Sequence, residues 1–313
     1  MQQTVQRTTF RNGGVEIAAN LHLPGGFDPG RSYAAVVCVH PGSGVKEQTA
    51  GIYAARLAER GFVALAFDAS CQGESGGEPR YAEEPAARVE DVRCAVDFLT
   101  TLEYVGPGRI GVLGVCAGGG YAVNAAMTDH RIRAVGTVVG VNIGRARRQG
   151  DGSPGAALAL LEEIGAQRTA QARGEPPLLA PWTPAGPREA RAAGVTDIDA
   201  LEAVDYYRTP RGRHDRSPNT LLFTSNASVL AFDAFHLAEE LLTQPLQIVV
   251  GGRQGGFGSF RDGQELFRRA AGEKDLLVIE GATHYDLYDR PEYVARAVRQ
   301  LAGFYGRHLA GAR

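Results

Sequence analysis

Two short stretches of the 313-residue chain carry residue types that could do covalent chemistry. The first is Gly114-Val115-Cys116-Ala117-Gly118. It follows an apolar, β-branched run, 109–115, and a helical pattern begins at Tyr121. A strand therefore enters a helix through a tight turn with Cys116 at its apex. G-x-C-x-G is the pattern of a nucleophile elbow with Cys in place of Ser. Its glycines suit a strained turn in which bulk would collide with the neighbouring strand or helix. The apex lies at the positive end of the helix, which is expected to lower the thiol pKa and to hold a developing oxyanion. A Cys after a strand is otherwise a small core hydrophobe, and a Gly-rich turn can cradle phosphate. Here the spacing is not G-x-G-x-x-G, and the stretch is not the first βα unit.

The second stretch is Glu280-Gly281-Ala282-Thr283-His284-Tyr285-Asp286. Of the seven histidines, His284 lies just past the last predicted strand and downstream of Cys116. Loops that follow the strands of a parallel sheet gather at one edge, so His284 is placed to act as the base for Cys116. His40 also ends a predicted strand. It precedes Pro41-Gly42-Ser43-Gly44, a loop of the kind that supplies a second oxyanion N–H, and is assigned to shaping that loop.

These residues need elements to carry them. Val5–Phe10 and Val15–Leu23 alternate around Asn12-Gly13-Gly14, a hairpin signal. Tyr33–Val39, Phe62–Phe67, Arg109–Val115 and Ile132–Val141 read as buried parallel strands. Helices fill the spaces between them, to Arg60, over 86–102, and to about Met127. The βα rhythm stops at about residue 142 and resumes with strand Leu246–Val250, helix 262–271, strand Asp275–Ile279 and a final helix, about 291–309. The intervening 142–243 is Arg-rich, then helical, then Pro-rich, with a helix expected over 228–242. The predicted organisation is a core in two parts, 1–141 and 244–313, with 142–243 as a lid over the carboxyl edge of the sheet.

Composition narrows the partners. A net charge of −2 gives no field that would draw nucleic acid or acidic membranes. The four cysteines, Cys38, Cys71, Cys94 and Cys116, have neither C-x-x-C nor zinc spacing, so no metal is expected, and no cofactor. The polar start of the chain lacks the apolar core of a signal peptide, and no run approaches a membrane span. The expectation is a reduced, cytoplasmic protein acting on a small molecule, with a homodimer left open.

Four separated segments resemble the α/β-hydrolase superfamily, over nearly the whole chain. They are His40–Gln48, Asp68–Gly77, Gly114–Tyr121 and Gly281–Tyr288, and Tyr206–Gly212 fits as well. More narrowly the chain resembles the dienelactone-hydrolase-like and polyketide-transferase-like branch. The resemblance implies an α/β-hydrolase fold: a mostly parallel sheet flanked by helices, with a helical lid. It also implies a Cys116 nucleophile, a His284 base, and oxyanion N–H groups from Ala117 and the Ser43–Gly44 turn. One departure stands out. The triad acid of such proteins usually follows the strand matching Leu246–Val250, and here that turn is Gly251-Gly252-Arg253-Gln254-Gly255-Gly256-Phe257, with Gly256 where the Asp should be. Asp233, Asp262 and Asp286 are the remaining candidates. Asp262 has a helix cap as its simpler role, and Asp233 lies in the insertion.

Trp182, Tyr206, Tyr207, Phe223, Phe232 and Phe235 bring aromatics into the insertion. Most should be core, and the rest, with His40, would line an apolar, aromatic-tolerant pocket. Arg145, Arg147 and Arg148 read as a solvated or salt-bridged face, with contact to a substrate carboxylate as the alternative. Three functions follow. One is hydrolysis or transfer of an ester, lactone or thioester through Cys116, on polyketide-derived or other secondary-metabolite substrates. The second is a non-hydrolytic tailoring reaction in the same pocket: cyclisation, epoxide opening or C–C bond formation. The third is a ligand-binding protein with a dead site.

Overall fold

The computed structural model describes residues 4–149, 153 and 155–310. The chain opens with the hairpin β1 (Thr4–Asn12) and β2 (Val15–Leu23), then β3 (Tyr33–Val39), α1 (Thr49–Ala58), β4 (Val63–Phe67) and α2 (Pro85–Thr100). The strand β5 (Val105–Val115) and helix α3 (Ala117–Thr128) flank Cys116, and β6 (Ile132–Val138) follows. Between β6 and the next core strand come α4 (Ile143–Gln149), α5 (Ala156–Ala172), β7 (Leu179–Pro181), α6 (Pro187–Ala192), α7 (Ile198–Arg208), β8 (Thr220–Leu222), α8 (Asn226–Ala231) and α9 (Ala238–Leu241). The core closes with β9 (Leu246–Gly251), α10 (Ser259–Arg269), β10 (Lys274–Ile279), α11 (Asp286–Asp289) and α12 (Pro291–His308).

Eight strands form one sheet in the order β1-β2-β4-β3-β5-β6-β9-β10. From β4 to β10 every neighbour is parallel, and β2 runs against both β1 and β4. The inner strands β3, β4 and β9 are buried along their whole length, because helices cover both faces. The order reverses around β3 and β5, so their carboxyl ends open a crevice where Pro41–Gly44 meets Cys116.

Two departures from expectation bear on the site. No single helix spans 228–242: the chain breaks between α8 and α9. Asp233 Oδ1 accepts the Phe235 N–H at 3.0 Å and the Asn142 amide at 2.7 Å, and Leu237 has φ +62°. A side chain that bonds its own backbone two residues on competes with helix formation. The strand β6 also ends at Val138 rather than Val141. Val139 has φ +42°, and the chain turns so that the Val141 N–H reaches Cys116 O at 2.9 Å. That bond ties the end of β6 to the elbow.

Candidate active site

Cys116 has φ +54° and ψ −125°, in the left-handed half of backbone space that a side chain rarely adopts. The surroundings hold it there. A Cβ on Gly114 would lie 2.2 Å from Gly118 O, and one on Gly118 would lie 2.4 Å from Val39 O, so strand, elbow and helix can approach this closely only through glycine. The Ala117 N–H and the Tyr288 hydroxyl hydrogen-bond the sulfur and draw its pKa down. Burial acts more strongly and pushes the thiol up to about 11. The helix-end expectation of a lowered thiol pKa is therefore reversed: without a ligand the sulfur is a neutral thiol at neutral pH.

His284 is buried between two hydroxyls. Its Nδ1 lies 3.1 Å from Ser259 Oγ and its Nε2 lies 3.3 Å from Tyr288 Oη. Both tautomers meet both contacts, because each hydroxyl can donate or accept. With the proton on Nδ1, Ser259 accepts and the single Tyr288 proton points to Nε2. With the proton on Nε2, Tyr288 accepts from the ring and its proton is free to point to the sulfur. Burial drives the imidazole pKa down to about 3. Tyr288 thus has one hydroxyl in contact with both the Cys116 sulfur and the His284 ring.

The three acid candidates are engaged elsewhere. Asp262 sits in the first turn of α10, pairs with Arg145 and accepts the Asn142 N–H at 2.8 Å. Asp233 is occupied with Phe235 and Asn142, and Asp286 Oδ2 accepts the Thr283 N–H at 3.1 Å. His284 hydrogen-bonds none of them. The loop that lacks the acid is instead held by two carboxylates from the start of α7. Asp197 Oδ2 accepts the Gly256 N–H at 2.7 Å, and Asp199 Oδ2 accepts the Phe257 N–H at 3.0 Å. Asp199 is buried, and its Oδ1 has no partner among the described residues. Burial, with Asp197 and Glu202 nearby, pushes its pKa up to about 7. Asp197 also caps α7 by accepting the Ala200 N–H at 3.0 Å.

On the opposite wall, His40 fixes the Pro41–Gly44 turn. Its Nε2 accepts the Ala69 N–H at 3.0 Å, and its Nδ1 lies 2.6 Å from Pro41 O. Burial, with Arg88 adjacent, holds it well below the usual imidazole range, so it stays neutral. The Gly44 N–H closes the turn on Pro41 O at 3.1 Å and is not free for an oxyanion. Ser43, at φ +56°, lines the cavity, and its N–H has no acceptor among the described residues. Asn219 steadies it by donating to Ser43 Oγ at 2.7 Å.

Cys116, Ala117 and Ser43 open onto a cavity of about 230 Å³. Trp182 and Tyr207 from the segment between β6 and β9 line it, with Phe257, Tyr285 and Tyr288 from the core. Three residues expected in this lining lie behind it. His40 is buried in the turn, Tyr206 packs edge-on against Tyr207 and Tyr288 at 5.0 and 5.1 Å, and Phe235 belongs to the core beside α3. Among the described residues no cluster of His, Cys, Asp and Glu has the makings of a metal site, and no helix is long and apolar enough to cross a membrane.

This sheet order and elbow define an α/β-hydrolase. The chain matches the Alpha/beta hydrolase family over residues 21–297 and belongs to it. It is 42% identical to the Escherichia coli K12 protein YcjY over 99% of this chain and 100% of that one. It is similar to the crystal structure of PA2218 from Pseudomonas aeruginosa, with a TM-score of 0.88, 35% identity, and coverage of 98% of this chain and 94% of that one. More distantly, it is 24% identical to the thiohydrolase aneE of Aspergillus aculeatus over 88% of this chain and 84% of that one.

Proposed function

We propose that this enzyme hydrolyses or transfers an acyl group, taken from a thioester or ester, through a covalent intermediate on Cys116. The observation that carries the reading is the strained Cys116 backbone. It presents the thiol to a largely apolar cavity beside the Ala117 and Ser43 N–H groups. In this reading the sulfur attacks the substrate carbonyl, and the two N–H groups receive the oxyanion. The thiol proton passes to the Tyr288 oxygen as the Tyr288 proton passes to His284 Nε2. Collapse expels the thiol or alcohol, which takes that proton back along the same path. Water or a second acceptor then releases the acyl group. The segment 142–243 acts as a lid, since it supplies Trp182, Thr183, Tyr207 and Asn219 to the wall. The name of the relative aneE supports thioester chemistry.

One observation favours a second reading, a non-hydrolytic rearrangement or bond formation in the same cavity. His284 Nδ1 meets the Ser259 hydroxyl rather than a carboxylate, so an imidazolium formed there has no hydrogen-bonded counter-charge among the described residues. Incubation with S-butyryl-N-acetylcysteamine, followed by intact-mass and peptide analysis, tests the first reading. A butyryl adduct confined to Cys116, with turnover lost in Cys116→Ala, is the expected result. Absence of both adduct and turnover supports the second reading. Thioester turnover unchanged in Cys116→Ala excludes both.

A further inference from the structure

Three arginines lie close together in α4, and they are not equivalent. Arg145 pairs with Asp262 and donates to Phe257 O at 2.7 Å. Arg148 donates to Leu230 O and Phe232 O, each at 2.7 Å. Both guanidiniums are committed to holding α4 against α8 and α10. Arg147 makes one bond, from Nε to Asn226 Oδ1 at 2.7 Å, and pairs with no carboxylate among the described residues. Asn226 is itself buried and anchored by donating to Phe223 O at 2.8 Å, so the grip on Nε is fixed. The two terminal nitrogens of Arg147 have no acceptor among the described residues.

Arg147 also lines the cavity that holds Cys116, and it is the one charged residue among the lining residues. A half-buried guanidinium that meets no carboxylate among the described residues is costly, and burial already draws its pKa down. A guanidinium gripped at Nε presents its remaining N–H groups as a planar fork, which matches a carboxylate. Trp182 lines the same cavity, and its buried indole N–H has no partner among the described residues.

We infer that Arg147 binds a carboxylate of the substrate, so the molecule acted on is an ester or thioester that also carries a free carboxylate on a small apolar or aromatic body. The inference deepens the acyl-transfer reading by naming the substrate class, and its test needs no turnover. Trp182 is the only tryptophan of the chain and lines the cavity, so its fluorescence reports binding. The Cys116→Ala full-length protein is titrated with 4-phenylbutyrate, with its uncharged amide, and with 3-phenylpropylphosphonate.

The carboxylate should bind about tenfold or more tightly than the amide. That preference should fall to about one in Cys116→Ala/Arg147→Gln and return in part in Cys116→Ala/Arg147→Lys. Circular dichroism of the variants confirms that they remain folded. Equal affinity for acid and amide overturns the inference, as does a preference that survives Arg147→Gln. Saturation by neither up to about 10 mM does so too, because an affinity that weak contributes under about 3 kcal/mol and leaves no specific site. Tighter binding of the phosphonate than of the carboxylate overturns the carboxylate assignment. Absence of acyl turnover in the unmodified protein, with the carboxylate preference of Cys116→Ala intact, would refute the acyl reading alone.

Discussion

The carboxylate of Asp197 accepts the backbone N–H of Gly256 at 2.7 Å, at the position where the resemblance places a catalytic acid. A Cβ on Gly256 would lie 2.9 Å from Asp197 Oδ2, and one on Gly255 would lie 2.3 Å from the Asp199 carboxyl carbon. The loop is glycine because carboxylates from α7 already occupy the space. Gly256→Asp should therefore fail to restore a triad. It should also cost about 1–3 kcal/mol through crowding, with like-charge repulsion added. Urea unfolding and an aryl-ester assay check this. A variant of wild-type stability with increased esterase activity would contradict it.

Asp199 makes stability depend on pH. Its folded pKa, raised to about 7, exceeds the ordinary carboxylate value, so the folded protein binds a proton that the unfolded chain has released. Stability should then fall as pH rises from about 4 to about 7, with a total effect on the order of a few kcal/mol. Asp199→Asn keeps an acceptor for the Phe257 N–H and should flatten that decline. Denaturation midpoints measured at half-unit intervals decide it, and an unchanged slope in the variant would count against the assignment.

Tyr288→Phe removes the hydroxyl between sulfur and imidazole while keeping the ring. Since that hydroxyl draws the Cys116 pKa down, its loss should raise the thiol pKa further above about 11. Alkylation of Cys116 by iodoacetamide at pH 8 should slow, and acyl turnover should drop by about two orders of magnitude with KM little changed. A KM effect alone would assign Tyr288 to substrate contact rather than to proton movement.

The segments around His40–Gln48 and Asp68–Gly77 converge on one ion cluster. Lys46 is buried and pairs with Asp68 at 2.8 Å, Glu47 at 2.8 Å and Glu74 at 2.6 Å. Asp68 also accepts the Lys46 N–H at 2.7 Å, which joins the turn after β3 to the end of β4. Lys46→Met should cost about 3–5 kcal/mol, because it strands the buried Asp68. Lys46→Met/Asp68→Leu should recover part of that loss. Chemical denaturation of the two variants is the check, and a loss under about 1 kcal/mol in the single variant would contradict the role.

The frame of the molecule could be read from the chain because it rests on local signals. A β-branched run into G-x-C-x-G forces a strand, a turn and a helix, and a histidine after the last strand must return to the same edge. The contacts made by side chains across long sequence separations could not be read. Asp197 and Asp199 look like ordinary helix-start acids, yet they reach a loop 59 and 58 residues away. Ser259 and Gly258 sit at a helix start and gave no sign that Ser259 would face His284. The Gly44 N–H is lost to a turn that only the backbone torsions reveal. Near-adjacent arginines are alike in sequence, and only their partners separate Arg147 from Arg145 and Arg148.

The bonds from Asp197 and Asp199 to the loop at Gly256 and Phe257 also bear on protein engineering. The segment between β6 and β9 looks like a cassette that could be exchanged among relatives to change what the cavity admits. Its α7 carries the two carboxylates that fasten the loop leading into Ser259 and α10. A chimera that imports a foreign cassette while keeping residues 252–259 would leave two backbone N–H groups without acceptors and a glycine gap without its filling. The smallest transferable unit is the cassette together with that loop.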